Sequence, residues 1–137
     1  MSRIIYTQKP GKIRQQHRRT VAEALRRLGQ KSQMDDEAQD LAALIIFSLH
    51  GIADTIEQTI NAWEKRDYYI KAERFRQEWR WLNPAIEQLS TLVYKAQWDQ
   101  LPEALARLAP HFADIKIKKM TRKPILWQGA YAKFMQE

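Results

Sequence analysis

The sequence predicts an all-α protein, an irregular helical bundle of four or five helices with a long central helix. Apolar residues recur at helical spacing along most of the chain, and the four glycines and five prolines lie mainly where helices are expected to end. We find no internal repeat, linker or low-complexity tract. A chain of 137 residues has the usual length of one domain, so residues 1–137 are expected to fold as a single unit.

The first predicted helix covers residues 12–28 and follows an extended N-terminal arm, residues 1–11. Ile13, His17, Val21 and Leu28 lie on one face of it, and Gly29 follows as a helix terminator. The central helix is expected to begin between Ser32 and Glu37, where acidic residues favour a helix start. Its apolar stripe consists of Leu41, Ile45, Leu49, Ile52, Ile56, Ile60 and Trp63.

The central helix is expected to kink or break near residues 64–68. Downstream the main apolar stripe consists of Tyr68, Ala72, Phe75, Trp79 and Leu82. At about 100° per residue, it is rotated by roughly 120° from the earlier one. A single helix over 35–82 would measure roughly 70 Å, which exceeds the width of a compact domain of this size. Further helices are predicted over 84–98, 100–109 and 125–135. Residues 114–137 are expected to form a basic, loosely structured C-terminal segment.

The composition favours a cytoplasmic protein. There is no cysteine, no signal-peptide pattern at the N-terminus, and the longest uncharged apolar stretch, residues 41–53, is shorter than the roughly 20 residues that span a bilayer. We therefore expect no membrane partner.

Charge is distributed unevenly along the chain. Residues 1–31 hold nine Lys or Arg and one acid, and residues 115–137 hold six and one. Residues 32–114 hold eight Lys or Arg and fourteen acids, so two basic ends flank an acidic middle. Two interpretations remain open: the ends bind a polyanion, or they dock on the middle of the same or a neighbouring chain.

No catalytic motif, metal site or cofactor site is present in the sequence. There is no phosphate-binding glycine loop, nucleophile elbow or metal-ligand pair of histidines. His50 and Asp54, one helical turn apart, are the candidate lining of a pocket. A hydrogen-bonded packing role for His50 at a close helix crossing beside Gly51 is the favoured interpretation.

The basic face of the first helix is the best signal for nucleic acid. Its candidate polyanion-binding residues extend into the C-terminal segment; they are Lys12, Arg14, Arg18, Arg19, Arg26, Arg27, Lys116, Lys118, Lys119, Arg122 and Lys123. The alternative is a solvated face that pairs with the acidic middle.

The segment from Trp63 to Trp81 is unusually rich in aromatic residues and arginine. Trp63, Ile70 and Trp81 form a second apolar line beside the main stripe, and such residue types are enriched at protein interfaces. The candidate interaction residues are Trp63, Arg66, Tyr69, Ile70, Arg76, Arg80 and Trp81. The sequence therefore predicts a non-enzymatic interaction or scaffold protein, a homo-oligomer with a dimer favoured, open to other protein partners. The alternative is a nucleic-acid-binding protein.

Overall fold

The computed structural model describes residues 9–137, and its regular structure is helical. The helices are α1 (Pro10–Gly29), α2 (Asp36–Lys65), α3 (Tyr69–Glu78), α4 (Leu82–Tyr94), α5 (Leu101–Leu108) and α6 (Ala130–Met135). Three 3-10 turns lie at Trp98–Gln100, Ala109–Phe112 and Pro124–Leu126. No strand occurs in these residues. The all-α class is confirmed, with five helices of eight or more residues and a sixth of six.

The first helix begins slightly earlier than the sequence predicts. Pro10 occupies the first turn of α1, where its missing N–H costs no hydrogen bond. Residues 1–8 of the expected N-terminal arm lie outside the described residues. The N-cap of α2 is Asp35, whose carboxylate accepts the Ala38 N–H at 2.9 Å, within the predicted start between Ser32 and Glu37.

The break after the central helix is confirmed, because α2 ends at Lys65 and α3 begins at Tyr69. Asp67 adopts a left-handed conformation with φ 63°, and the Tyr68 N–H reaches back to the Trp63 carbonyl at 2.9 Å. This is the hydrogen-bond pattern of a Schellman cap, with aspartate in the position that glycine usually occupies. The direction of the chain and the phase of its apolar stripe both change here.

The fourth helix also ends in a left-handed residue. Ala96 has φ 53°, and the Gln97 N–H binds the Leu92 carbonyl at 2.8 Å. This cap ends the helix predicted over 84–98 at Tyr94. The helix begins two residues earlier than predicted, at Leu82. Pro84 is tolerated because it lies in the first helical turn, where N–H groups have no partner within the helix.

The core is organised around α2, which contacts α1, α3, α4 and α6. Leu41, Ile45, Leu49 and Ile52 of the predicted stripe are fully buried. In the described part of the chain α2 is also the one helix long and apolar enough to cross a membrane, but 61% of its most apolar stretch is buried inside the protein. That burial is what the central helix of a folded core requires.

Candidate nucleic-acid interface

Residues 114–123, here called the strap, lead away from the turn Ala109–Phe112 and lie against α1. Ile115 and Ile117 are partly buried and pack on the core, whereas Lys116, Lys118 and Lys119 are exposed. The strap is not helical, and its side chains alternate between the core and solvent over residues 115–118. Its lysines therefore point outward along one edge of the protein.

Arginines of α1 hold the strap backbone in place. Arg19 donates to the carbonyl oxygen of Lys119 at 2.7 Å, and Arg26 donates to that of Ile117 at 2.8 Å. Arg18 binds the carboxylate of Asp114 at 2.6 Å, just where the strap begins. A non-helical segment leaves carbonyl groups without partners, and guanidinium groups with five N–H donors each are suited to satisfy them.

Glu23 is the buried acceptor that fixes the other end of the strap. Its side chain is only 2% exposed. The carboxylate accepts the N–H of Thr121 and of Arg122, each at 2.8 Å, the Thr121 hydroxyl at 2.7 Å, and the Arg19 guanidinium at 2.6 Å. Burial by itself would raise the pKa of Glu23, but these donors together lower it to about 2. Glu23 is therefore ionised at neutral pH.

Arg122 is an arginine of the strap that donates hydrogen bonds to α1. Its guanidinium donates to the Thr20 hydroxyl at 3.0 Å and to the Gln16 carbonyl oxygen at 2.8 Å. Beyond the strap, Trp127 is buried and donates its indole N–H to Glu37 at 3.3 Å. The expected loosely structured segment therefore has its backbone tied to the helices at several points, although residues 113–123 contain no helix.

The other predicted cations of α1 are placed differently. Lys12 is exposed near the start of the helix. Arg14 faces α2 and donates to the hydroxyl groups of Thr55 at 3.1 Å and Thr59 at 2.6 Å. Arg27 lies over the Trp127 ring, 5.1 Å from its centroid, and contacts Glu37 at 3.4 Å. Arg14 and Arg27 are thus engaged in holding the fold together.

The strap and the α1 residues that contact it form one basic surface. We call this set the basic surface; its cations are Arg18, Arg19, Arg26, Lys116, Lys118, Lys119, Arg122 and Lys123. Two carboxylates, those of Glu23 and Asp114, lie among them and are bound by arginines. Within residues 9–137 no strap lysine takes part in an ion pair. The surface therefore has a large excess of positive charge.

Four aromatic residues of the segment 63–81 form a continuous, partly buried row with His111. Trp63 packs edge-on against Phe75 at 5.1 Å between centroids, and Trp79 stacks on Trp81 at 5.5 Å. Trp81 in turn stacks on His111 at 3.7 Å. Two members of the predicted second apolar line, Trp63 and Trp81, are thus partly buried by their own chain.

Apolar side chains reach solvent at the start of α3 and the turn before it, as they also do at Tyr94, Ile125 and Leu126. Ile70 is 73% exposed, Tyr69 59% and Tyr68 49%. Arg66 and Arg80 are also exposed. Arg76 is bound to Glu64 at 2.7 Å and to Glu73 at 3.0 Å. We call Tyr68, Tyr69 and Ile70 the aromatic corner, because three consecutive exposed apolar residues are uncommon on a protein surface.

His50 and Asp54 are both exposed on α2 and share no hydrogen bond. The close crossing beside Gly51 does exist, but the histidine that forms it is His17 of α1. A Cβ atom at Gly51 would lie 2.7 Å from Cδ2 of the His17 ring. The apolar spacing of α1 predicts His17 on its packing face, but the sequence does not identify its partner on α2. In residues 9–137 no cluster of three potential metal ligands occurs.

Glu23, which anchors the strap, is not among the site residues predicted from the sequence. It is the only acid in residues 1–31, and that isolation was the available signal. The fold and the site together define an all-α protein with a basic surface made from both ends of its chain. Comparison with known protein families, curated proteins and solved structures finds no match to this chain.

Proposed function

We propose that this protein is a non-enzymatic nucleic-acid-binding protein whose basic surface contacts the phosphate backbone. The observation that carries the proposal is the convergence of the two basic ends. Arg19 and Lys119 are 100 positions apart in the chain, yet they are joined by a 2.7 Å hydrogen bond. The sequence offered polyanion binding as its second interpretation.

The arginines of α1 and the lysines of the strap have different surroundings, and this difference supports the proposal. Arg19 and Arg26 of α1 are occupied by the strap backbone and Arg18 by Asp114, whereas the strap lysines remain exposed to solvent. Lysine is a flexible point charge that suits contacts with phosphates without sequence preference. Gathering like charges on one surface opposes folding, and a bound polyanion would relieve that repulsion.

The experiment is a salt titration of binding. Wild-type protein and fluorescently labelled oligonucleotides are mixed, and the affinity is measured by anisotropy between low and moderate salt. We expect binding to weaken steeply with salt. Replacing Lys116, Lys118, Lys119 and Lys123 with glutamine should reduce the slope of log affinity against log salt by about 3, since each phosphate contact contributes roughly 0.7–0.9.

A charge-matched control separates a local surface from overall charge. Lys65, Arg66, Arg74 and Lys95 are exposed and lie on α2, α3 and the end of α4, away from the strap. Their replacement with glutamine should leave the slope nearly unchanged. Absence of binding to any nucleic acid at low salt would rule out the proposal. Equal loss in both variants would show that only net charge matters.

A second proposed function, self-association, is favoured by the aromatic corner. Its side chains are exposed, whereas Trp63 and Trp81 pack within the chain. A second copy of the chain that covers the corner would bury Ile70 and both tyrosines, and aromatic residues of this type dominate the energy of many interfaces.

The mass in solution tests this second proposal. The chain mass is 16.3 kDa, and light scattering should give twice that value or more for an oligomer. Ile70→Ser should shift the protein toward the monomer without altering its thermal stability as a monomer, because this side chain contributes little to the core. A wild-type monomer at high concentration would reject self-association.

A further inference from the structure

A cavity opens beside the basic surface, where α1, α2 and the C-terminal segment meet. Its volume is about 470 Å³, within the range of roughly 300–1,000 Å³ that small-molecule pockets occupy. Leu44 and Phe47 of α2 form an apolar wall. Gln16 and His17 of α1 and Ser48 of α2 supply polar groups, and Arg122 lies at the strap side.

The polar groups of the cavity both donate and accept hydrogen bonds. A glutamine amide and a serine hydroxyl each carry a donor and an acceptor. Burial lowers the pKa of His17, and the nearby charge of Arg122 lowers it further, against an opposing effect of Asp54. His17 is therefore neutral at pH 7. A simple anion needs donors alone, whereas the edge of a nucleobase presents donors and acceptors together.

The ring of His17 is held in position by its packing on Gly51. The Nε2, Cδ2 and Cε1 atoms of the ring all lie where a side chain at position 51 would clash. The Nε2 edge of the imidazole therefore faces Gly51, and Nδ1 is the ring nitrogen on the other side. Phe47 is partly buried, with Phe134 edge-on against it at 6.2 Å between centroids. The cavity thus has a fixed aromatic wall and a fixed imidazole, which are preorganised features of a binding site.

Arg122 belongs both to this cavity and to the basic surface. A nucleic-acid backbone that follows the strap lysines would therefore pass the mouth of the cavity. Bases of a duplex are stacked and paired, and extruding one costs a few kcal/mol. Bases of a single strand can turn outward and are commonly bound by aromatic side chains and polar groups.

We propose that this cavity accepts one unpaired nucleobase, so that the preferred ligand of the basic surface is single-stranded RNA or DNA. The inference rests on the proposed nucleic-acid function and specifies its substrate class. Arg122 would contact the adjoining phosphate, while Phe47 and the polar groups around it would contact the base.

The test compares a single strand of twelve nucleotides with the duplex of the same sequence, both by anisotropy at one salt concentration. We expect the single strand to bind at least tenfold more tightly. Gln16 is exposed at the cavity mouth, so Gln16→Trp fills the opening with little risk to the fold. This variant should weaken single-strand binding about tenfold and leave duplex binding within twofold of wild type.

Gln58→Trp is the matched control, because Gln58 is exposed on α2 and does not line the cavity. It should bind both ligands like wild type. If Gln16→Trp lowers the melting temperature, Gln16→Ala removes the amide instead and should weaken single-strand binding about threefold.

The outcomes separate the inference from the proposed function. Equal affinity for single strand and duplex would overturn the inference while the function stands. A single-strand preference that neither Gln16 variant reduces would also overturn it, since the base would then bind elsewhere. No binding of either ligand to wild type would defeat the proposed function itself.

Discussion

The carboxylate of Glu23 accepts the backbone N–H of Arg122 at 2.8 Å, across 99 positions of the chain. Three further donors share that carboxylate, so one buried acid joins the two basic ends of the protein. Without Glu23, Asp114 at the start of the strap would be the one carboxylate left among the cations of the basic surface. Glu23 therefore makes the basic surface compatible with a folded protein.

Glu23→Gln should destabilise the protein by about 3 kcal/mol, because it removes the charge that accepts four hydrogen bonds and places an amide NH2 group against either the two backbone N–H groups or the Arg19 guanidinium. Urea unfolding followed by circular dichroism measures the change. Glu103→Gln is the control, since Glu103 forms an exposed pair with Arg107 at 2.9 Å. That variant should change stability by less than about 0.5 kcal/mol. Similar losses in both variants would refute the special role of Glu23.

The contribution of the Glu23 carboxylate to the free energy of unfolding should disappear in acid. Its pKa is about 2 in the folded protein and near 4.5 when unfolded, so the unfolded state binds the proton first as the pH falls. The stabilisation is complete above about pH 4.5 and is lost as the pH falls toward 2. The pKa values of His17 and His111 are also lowered by burial, which destabilises the protein below about pH 6.5.

The histidine effect is common to wild type and Glu23→Gln, so the difference in unfolding free energy between them isolates the carboxylate. We expect that difference to stay constant between pH 7 and pH 5 and to narrow steadily below pH 4.5. A difference that does not change down to pH 3 would contradict a pKa of about 2 for Glu23 in the folded protein.

Gly51→Ala should destabilise the protein by about 1–3 kcal/mol, because its Cβ overlaps the His17 ring and the helices must separate or the ring must move. Thermal unfolding measures the loss. Combining Gly51→Ala with His17→Ala should recover most of the lost stability, because the smaller side chain removes the overlap. The effects of the two changes are therefore not additive. Gly11→Ala is the control, since nothing lies within 4 Å of the added methyl group, and it should not destabilise. Additive effects would show that the crossing is not tight.

Ala96→Gly should stabilise the protein by about 1 kcal/mol. Ala96 holds φ 53° in the cap of α4, and a left-handed conformation costs an L-residue roughly 1–2 kcal/mol that glycine avoids. Chemical denaturation gives the sign directly. Ala106→Gly, in the exposed middle of α5, should instead destabilise by about 1 kcal/mol. Destabilisation by both changes would indicate that the cap is not the relevant feature.

The aromatic segment shows why local periodicity misplaced some contacts. The second apolar line assumed that helical phase continues from Trp63 to Trp81. The left-handed Asp67 resets that phase, and the turn at residues 79–81 resets it again. Trp63 and Trp81 consequently lie in one aromatic row with Phe75 and Trp79, and Ile70 remains outside it.

The sequence by itself determined the all-α class, the buried stripe of α2 and the break after it, because apolar spacing and capping residues act within a few turns of helix. The tertiary structure decided which groups each charged side chain contacts. Arg14 turns toward α2, whereas Arg18, Arg19 and Arg26 bind the strap and its start. These contacts join residues about 40 to 100 positions apart, and no local pattern specifies which distant carbonyl group or carboxylate a guanidinium will meet. The two basic ends therefore become one surface only in the folded chain.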